Sequence, residues 1–229
     1  MSQGTGETWG ARDPYRHRPL GSDGAVSFMA NHRKNPYKRP DAFTKAAKAQ
    51  GFPARSVFKL EEIDRRVRLF RQGQRVLDLG AAPGSWAMFA IQRIGPSGKL
   101  LAIDLSPILT PLGPTAKVVQ GDALSLSNED LATFAPYDVV ISDMAPSTSG
   151  SKLADQTQSF ELFMRAVEVA RALLAPGGAF VGKIFMSDEF VKARDALRDL
   201  FEDVRTIRPE GTRTNSSEVF LVGLKRRRA

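Results

Sequence analysis

From residue 75 onward, short apolar runs alternate with longer polar or amphipathic stretches. RVLDLG, KLLAIDLS, KVVQGD, YDVVISDMA and GAFVGKIF are of strand length and are bounded by Gly, Pro or Asp. Segments 84–94, 155–174 and 188–201 lie between some of them and carry helical spacing. Parallel strands need such crossovers, so the alternation predicts a mostly parallel sheet with helices on both faces. The last two runs, VRTIRP and EVFLVGL, are joined by a polar loop with no room for a helix. They read as a hairpin, which gives a seven-stranded α/β sheet an antiparallel terminal strand. Upstream, DAFTKAAKAQ is built of good helix formers behind an Asp. In SVFKLEEIDRRVRLF, Val57, Leu60, Ile63, Val67 and Phe70 recur at helical intervals, which predicts an amphipathic helix. Residues 1–32 are rich in Gly, Pro, Ser and Arg with little apolar periodicity, as expected of a disordered leader. One domain is then expected over 33–224, opening with a basic arm and helix (33–60), with a basic tail at 225–229.

One position breaks the strand pattern. GGAFVGKIF places Lys183 in the middle of an apolar run. An unpartnered ammonium in such a place costs several kcal/mol or more. Either its head snorkels to the edge of the sheet or it has a partner and a task.

Composition narrows the chemistry. The 229 residues contain no cysteine, which removes disulfides, thiolate metal sites and a Cys nucleophile. The two histidines, His17 and His32, both lie in the leader, so a His-centred catalytic site or metal cluster is not expected. No apolar run reaches the ~20 residues that span a bilayer. The first 30 residues lack the apolar core of a secretory signal, and Glu7, Asp13 and Asp23 argue against a transit peptide. A cytoplasmic protein is the expectation. The net charge of +8 is uneven. Residues 1–60 hold eleven Lys/Arg against four Asp/Glu, residues 205–229 seven against two, and the middle is mildly acidic. Two basic flanks on an acidic body suit a polyanion such as nucleic acid, and equally suit solvated tails.

In an open parallel sheet, ligands bind beyond the carboxyl ends of the strands. The first core strand ends in DLGAAPGSW, with Gly80 and Gly84 four apart and a helix starting near Gly84. This is not the GxGxxG of a dinucleotide loop. Pro83 removes a backbone N–H from the place where a phosphate would be held. The next strands end in AIDLS, QGDAL and SDMAP, so Asp104, Asp122 and Asp143 share one edge. Asp104, 24 residues past Gly80, is placed to accept ribose hydroxyls, and Asp122 to reach an adenine amino group. Each alone would be an ordinary turn or cap residue. Three after a glycine loop favour a nucleoside cofactor without phosphates, and S-adenosylmethionine has that chemistry.

The methyl acceptor follows partly by elimination. The chain has Asp143-Met144-Ala145-Pro146 where amino-directed base methyltransferases commonly carry a [DN]PP[YF]-like element. C5-pyrimidine methylation generally needs the missing cysteine. A metal-assisted O-methylation would want a ligand cluster that is not seen. A hydroxyl acceptor without metal remains. A ribose 2′-OH is a poor nucleophile, so a positioned base or positive charge should assist it, and Lys183 next to the strand of Asp143 is the candidate.

The combination RSVFKLEEID, VLDLGAAPGSW, AIDLSP, ISDMAPSTSG, LAPGGAFVGKIF and SSEVFLV closely resembles the FtsJ-type (RrmJ/RlmE) ribosomal RNA large-subunit 2′-O-methyltransferases. The resemblance runs over about residues 33–224, with order and spacing kept throughout. It implies a single Rossmann-like, S-adenosylmethionine-dependent domain. It also implies a Lys-Asp-Lys-Glu tetrad, which falls on Lys59, Asp143, Lys183 and Glu218. The family's cofactor contacts fall on Gly84, Trp86, Asp104, Asp122 and Asp143. Its substrate would be a uridine 2′-OH in 23S rRNA, within the large ribosomal subunit, with a monomer sufficing. One departure is Gly84-Ser85-Trp86 where the family often has Gly-Gly-Trp. Arg33, Lys34, Lys38, Arg39, Lys45, Lys48 and Arg55 precede Lys59, with Tyr37 and Phe43 among them, and are expected to line the RNA path. The alternatives are a 2′-O-methyltransferase of tRNA or of mitochondrial rRNA, or a non-catalytic RNA-binding assembly factor.

Overall fold

The computed structural model describes residues 42–147, 149–210, 212 and 216–228, together with Met1. Apart from Met1 these fall in one compact unit, Arg39–Ala229. Except for Met1, the expected leader (1–32) lies outside the described residues, as do the arm residues Arg33, Lys34, Tyr37, Lys38 and Arg39.

Two helices come first, α1 (Ala42–Ala49) and α2 (Val57–Val67). Then follow β1 (Arg75–Leu79), α3 (Ser85–Ile94), β2 (Lys99–Asp104), β3 (Ala116–Gln120), the short α4 (Asn128–Leu131) and β4 (Tyr137–Ser142). The chain continues through α5 (Lys152–Leu173), β5 (Leu174–Phe185), α6 (Phe190–Leu200), β6 (Phe201–Ile207) and β7 (Glu218–Arg226). The seven predicted strands all form, in the order β3-β2-β1-β4-β5-β7-β6. β1 to β5 are parallel and β7 is antiparallel to both neighbours. The hairpin is folded back into the sheet: β6 takes the outer edge and β7 returns between β6 and β5. The short α4 is a helix that the apolar pattern does not announce. Ser127 and Asp130 bond each other's backbone there in a capping box, a local device carrying no long periodicity.

The sheet is the middle of three layers. On one face α2 and α3 bury Leu60, Ile63, Ala87 and Ala90 against Val76, Ala102, Ile141 and Val181. On the other, α5 and α6 bury Phe163, Ala166, Ala193 and Leu197 against Leu77, Leu101, Val140 and Phe180. Strand neighbours of opposite parity thus serve opposite cores, the reason these strands read as continuous apolar runs.

The helix at 56–70 ends sooner than its apolar period. Arg68 turns left-handed (φ 53) and bonds Asp64 O. The buried Asp64 side chain then accepts from Phe70 N (3.0 Å) and pairs with Arg93 (2.9 Å). The carboxylate offsets the left-handed residue, and Phe70 still reaches the core from outside the helix. This stop anchors the far end of α2 against α3.

Candidate active site

β1 lies between β2 and β4, where the chain direction of build-up reverses, and the crevice at its carboxyl end is the expected ligand position. A cavity of about 240 Å³ opens there. Asp104, Asp122 and Asp143 line it, with Ile103, Leu105, Met144 and Leu162 as apolar wall and Gly80 at its floor. The three predicted strand-end aspartates therefore do converge on one space.

The glycine loop is closed in on itself. Gly80 N and Ala81 N donate to Ile103 O (2.9 and 3.0 Å), Gly84 N to Ala81 O (2.7 Å), and Ala82 N to Asp104 Oδ2 (2.9 Å). With Pro83 lacking an N–H, these amides make no phosphate cradle. Gly80 holds a φ of 79°, and a Cβ there would meet the Met144 backbone at 2.8 Å, so only glycine lets the β1 and β4 loops touch. Gly84 (φ 110°) in turn admits Thr110, whose side chain would be 2.9 Å from a Cβ and whose hydroxyl donates to Pro83 O (2.7 Å).

Beneath this loop sits a residue that the motifs do not single out. Asp78 is fully buried in β1, and neither carboxyl oxygen has a hydrogen-bond partner. Burial, reinforced by the charges of Asp143 and Asp104, pushes its carboxyl well above the usual carboxylate range. A signal for it does exist in the chain, because RVLDL interrupts an apolar strand with a charge just as GGAFVGKIF does. In the cofactor-free protein the folded state keeps this proton at a pH where the unfolded chain, ionising near ~3.9, has lost it. Stability due to this group therefore falls as pH rises from about 4 toward the folded value. Asp78→Asn should remove that slope. Thermal melts of the two proteins should diverge in the variant's favour between about pH 4 and 7. Parallel curves would show that Asp78 is not held protonated.

Lys183 has a partner. It is 8% exposed on β5, and its Nζ donates to the main-chain carbonyl of Asp143 (2.6 Å). It also lies 2.9 Å from Asp143 Oδ1, in an ion pair without hydrogen-bond geometry. The β4–β5 register sets Ser142 beside Gly182, so the residues that follow, Asp143 and Lys183, emerge side by side. Asp143 thus belongs both to the cavity wall and to the lysine.

The second pair comes from further away in sequence. Lys59 Nζ donates to Glu218 Oε1 at 2.5 Å and stands 5.9 Å over the Phe220 ring. Lys183 is opposite Phe220 in the β5–β7 ladder and Phe185 opposite Glu218. Lys183 and Glu218 are consequently diagonal neighbours on the same face, with Cα atoms about 7 Å apart. All four expected tetrad residues are brought to one rim as two charge-balanced pairs.

The remaining expected residues divide. Trp86 is 2% exposed, its ring 5.7 Å from that of Phe220 and its indole N–H on Ser56 O (2.9 Å). Neither Trp86 nor Gly84 is among the described residues lining the cavity. Ser85, the departure from Gly-Gly-Trp, is buried and its hydroxyl bridges Ala54 N (2.8 Å) and Ala54 O (3.1 Å). Ser85 and Trp86 together tie α3 to the turn that starts α2. Arg55 lines a hollow of about 250 Å³ with Lys59, Ser216 and Glu218. Lys45 and Lys48 are exposed on α1. Phe43, considered for base stacking, instead packs its ring on Phe58 (6.0 Å), though it stays 45% exposed.

The donor set fits a cationic nucleoside. Carboxylates from three strand ends favour positive charge, the apolar wall suits a base, and the loop offers no phosphate grip. The fold and this site define a nucleoside-cofactor methyltransferase of the doubly wound class. Among solved structures, a Plasmodium falciparum protein assigned as a ribosomal RNA methyltransferase superposes with a TM-score of 0.66 at 23% identity, over 76% of this chain and 97% of that one. Fibrillarin from Aeropyrum pernix, crystallised with natively bound S-adenosyl-L-methionine, gives a TM-score of 0.50 at 19% identity over 67% of each chain. At such identity the likeness is one of fold.

The family model for FtsJ-like methyltransferases matches residues 52–226, and the chain belongs to that family. It is similar to the ribosomal RNA large subunit methyltransferase E of Sorangium cellulosum, with 81% identity over 86% of this chain and 92% of that protein. The protein of the same name in Bdellovibrio bacteriovorus is 45% identical over 83% of this chain and 99% of its own length. The chain is therefore a methyltransferase, and S-adenosylmethionine is its methyl donor. Among the described residues no helix is long and apolar enough to cross a membrane, and no acidic or histidine cluster could hold a metal.

Proposed function

We propose that this protein methylates the 2′-OH of a uridine in 23S rRNA, within the large ribosomal subunit, acting as a monomer in the cytoplasm. The observation that carries this reading is the buried Lys183–Asp143 pair, in which one carboxylate serves both the cofactor cavity and the lysine. The relatives named for large-subunit RNA support the substrate class.

The bound cofactor supplies an electrophilic methyl on a sulfonium. Asp104 and Asp122 hold the nucleoside, through its ribose and adenine respectively, and Gly84 and Trp86 bound the loop beside it. Asp143 faces the methyl-bearing end and fixes Lys183. Lys183 is the general base or the main orienter of the ribose hydroxyl. Lys59 and Glu218 hold the acceptor ribose at the other side of the rim. Alignment of hydroxyl and methyl supplies much of the acceleration. Lys45, Lys48 and Arg55, continuing the segment that begins at Arg33, Lys34, Lys38 and Arg39, guide the RNA backbone toward Lys59 through charge.

Large subunits from a strain lacking this protein should take up label from methyl-labelled cofactor. The label should map to one uridine 2′-oxygen in 23S rRNA. Label on tRNA, or on a base, would overturn the reading. Failure of the cofactor to raise the melting temperature, where ~100 Kd of ligand should add about 2.7 kcal/mol, would point instead to a vestigial pocket.

A further inference from the structure

The last four residues before Ala229 do not hang as a loose tail. β7 runs through Arg226, whose guanidinium donates to Arg171 O at the end of α5 (2.7 Å). Arg227 N then donates to Leu200 O at the end of α6 (2.9 Å). Lys225 is held at a φ of 58°, a left-handed conformation that a non-glycine residue adopts only when its surroundings fix it. Lys225, Arg226, Arg227 and Arg228 line a hollow of about 620 Å³ with Pro176, Gly177 and Glu202. Glu202 answers part of one charge, at 4.0 Å from Lys225. Arg227 and Arg228 are exposed.

This hollow is at the opposite end of the sheet from the tetrad. Gly177 and Lys183 are six residues apart along β5, which at about 3.3 Å per residue is about 20 Å. The body between the two basic flanks, residues 61–204, carries nineteen acids against fifteen bases. Positive charge is thus gathered in the flanks, and the hollow lies about 20 Å from the nucleotide that Lys183 would hold.

We propose that the hollow is a second RNA contact, which takes the phosphate backbone of a ribosomal RNA segment distant from the methylated nucleotide. This rests on the large subunit being the substrate. The backbone that carries the charges is already held, so no chain segment has to be ordered on binding, and a concave basic surface suits a phosphate ridge. A compact RNA particle presents separate segments to the two poles, and a short single strand does not.

The test is the double substitution Arg227→Glu/Arg228→Glu in the full chain, with binding to large subunits measured between 50 and 200 mM salt. Affinity should fall roughly tenfold or more, and the log–log salt slope should become shallower by about two. Arg227→Lys/Arg228→Lys should keep most of the binding, because phosphate is read as charge. The rate at saturating subunits and the melting temperature should stay at wild-type values. Unchanged affinity and slope would overturn the proposal, as would an unchanged affinity with a reduced rate. If wild-type protein binds the subunits with this dependence but leaves no label on 23S rRNA, the substrate reading fails and the second contact stands.

Discussion

Lys183→Ala should leave cofactor affinity within a few fold of wild type while methyl transfer falls by about 10²–10⁴. Lys183 is not among the residues lining the cofactor cavity, and its ammonium is spent on Asp143. Removing it deletes the group proposed to face the hydroxyl and keeps the cavity wall. Single-turnover rates with large subunits, set beside calorimetric titration of the cofactor, separate the two effects. Equal losses in binding and rate would make Lys183 a structural lysine. Lys183→Arg keeps charge but not the compact ammonium, so it should rescue little of the rate. The effect of Lys183→Ala on stability should be mild, since Asp143 is partly open to water through the cavity.

The converse change should be the more damaging to the fold. Asp143→Asn leaves Lys183 buried with no counter-charge, and breaking one side of a buried pair costs about 3–5 kcal/mol. The main-chain carbonyl of Asp143 still accepts from the lysine, which favours the lower end. For a domain of this size that corresponds to a drop in melting temperature of roughly 6–12 °C. Cofactor affinity should fall as well, because one of three cavity carboxylates is lost. Combining it with Lys183→Met should recover much of the stability, as no charge is then left unpaired, without recovering activity. Additive losses in the double variant would show that the two side chains are not coupled.

The asymmetry between these two substitutions follows from where each residue sits. Lys183 serves one partner, whereas Asp143 serves the lysine, the cavity and the electrostatics of Asp78. Activity measurements alone would rank them together, and only binding and stability distinguish them.

Much of this architecture is legible in the amino-acid sequence. Strand-length apolar runs with crossovers dictate the parallel sheet, because backbone pairing and burial on both faces demand that pattern. A charge inside such a run, as at Lys183, marks a site because burial is costly without a partner. The same logic applies to Asp78, a charge inside the apolar run RVLDL, although no motif singles it out. Other features depend on contacts between distant segments. That β7 returns between β5 and β6 is decided by its pairing with β5, which buries Phe220 and Val222 in the core; a hairpin pattern alone does not choose which of its two strands takes that place. Only the resemblance gives Trp86 as a cofactor contact, and only the folded chain shows its ring and N–H committed to Phe220 and Ser56. The pairing of Lys59 with Glu218 joins residues 159 apart in the chain, and local pattern carries no record of it. Periodicity and the cost of buried charge act along the chain and so are written in it. Side-chain partnership is set by three-dimensional packing, and the tertiary structure alone decided it.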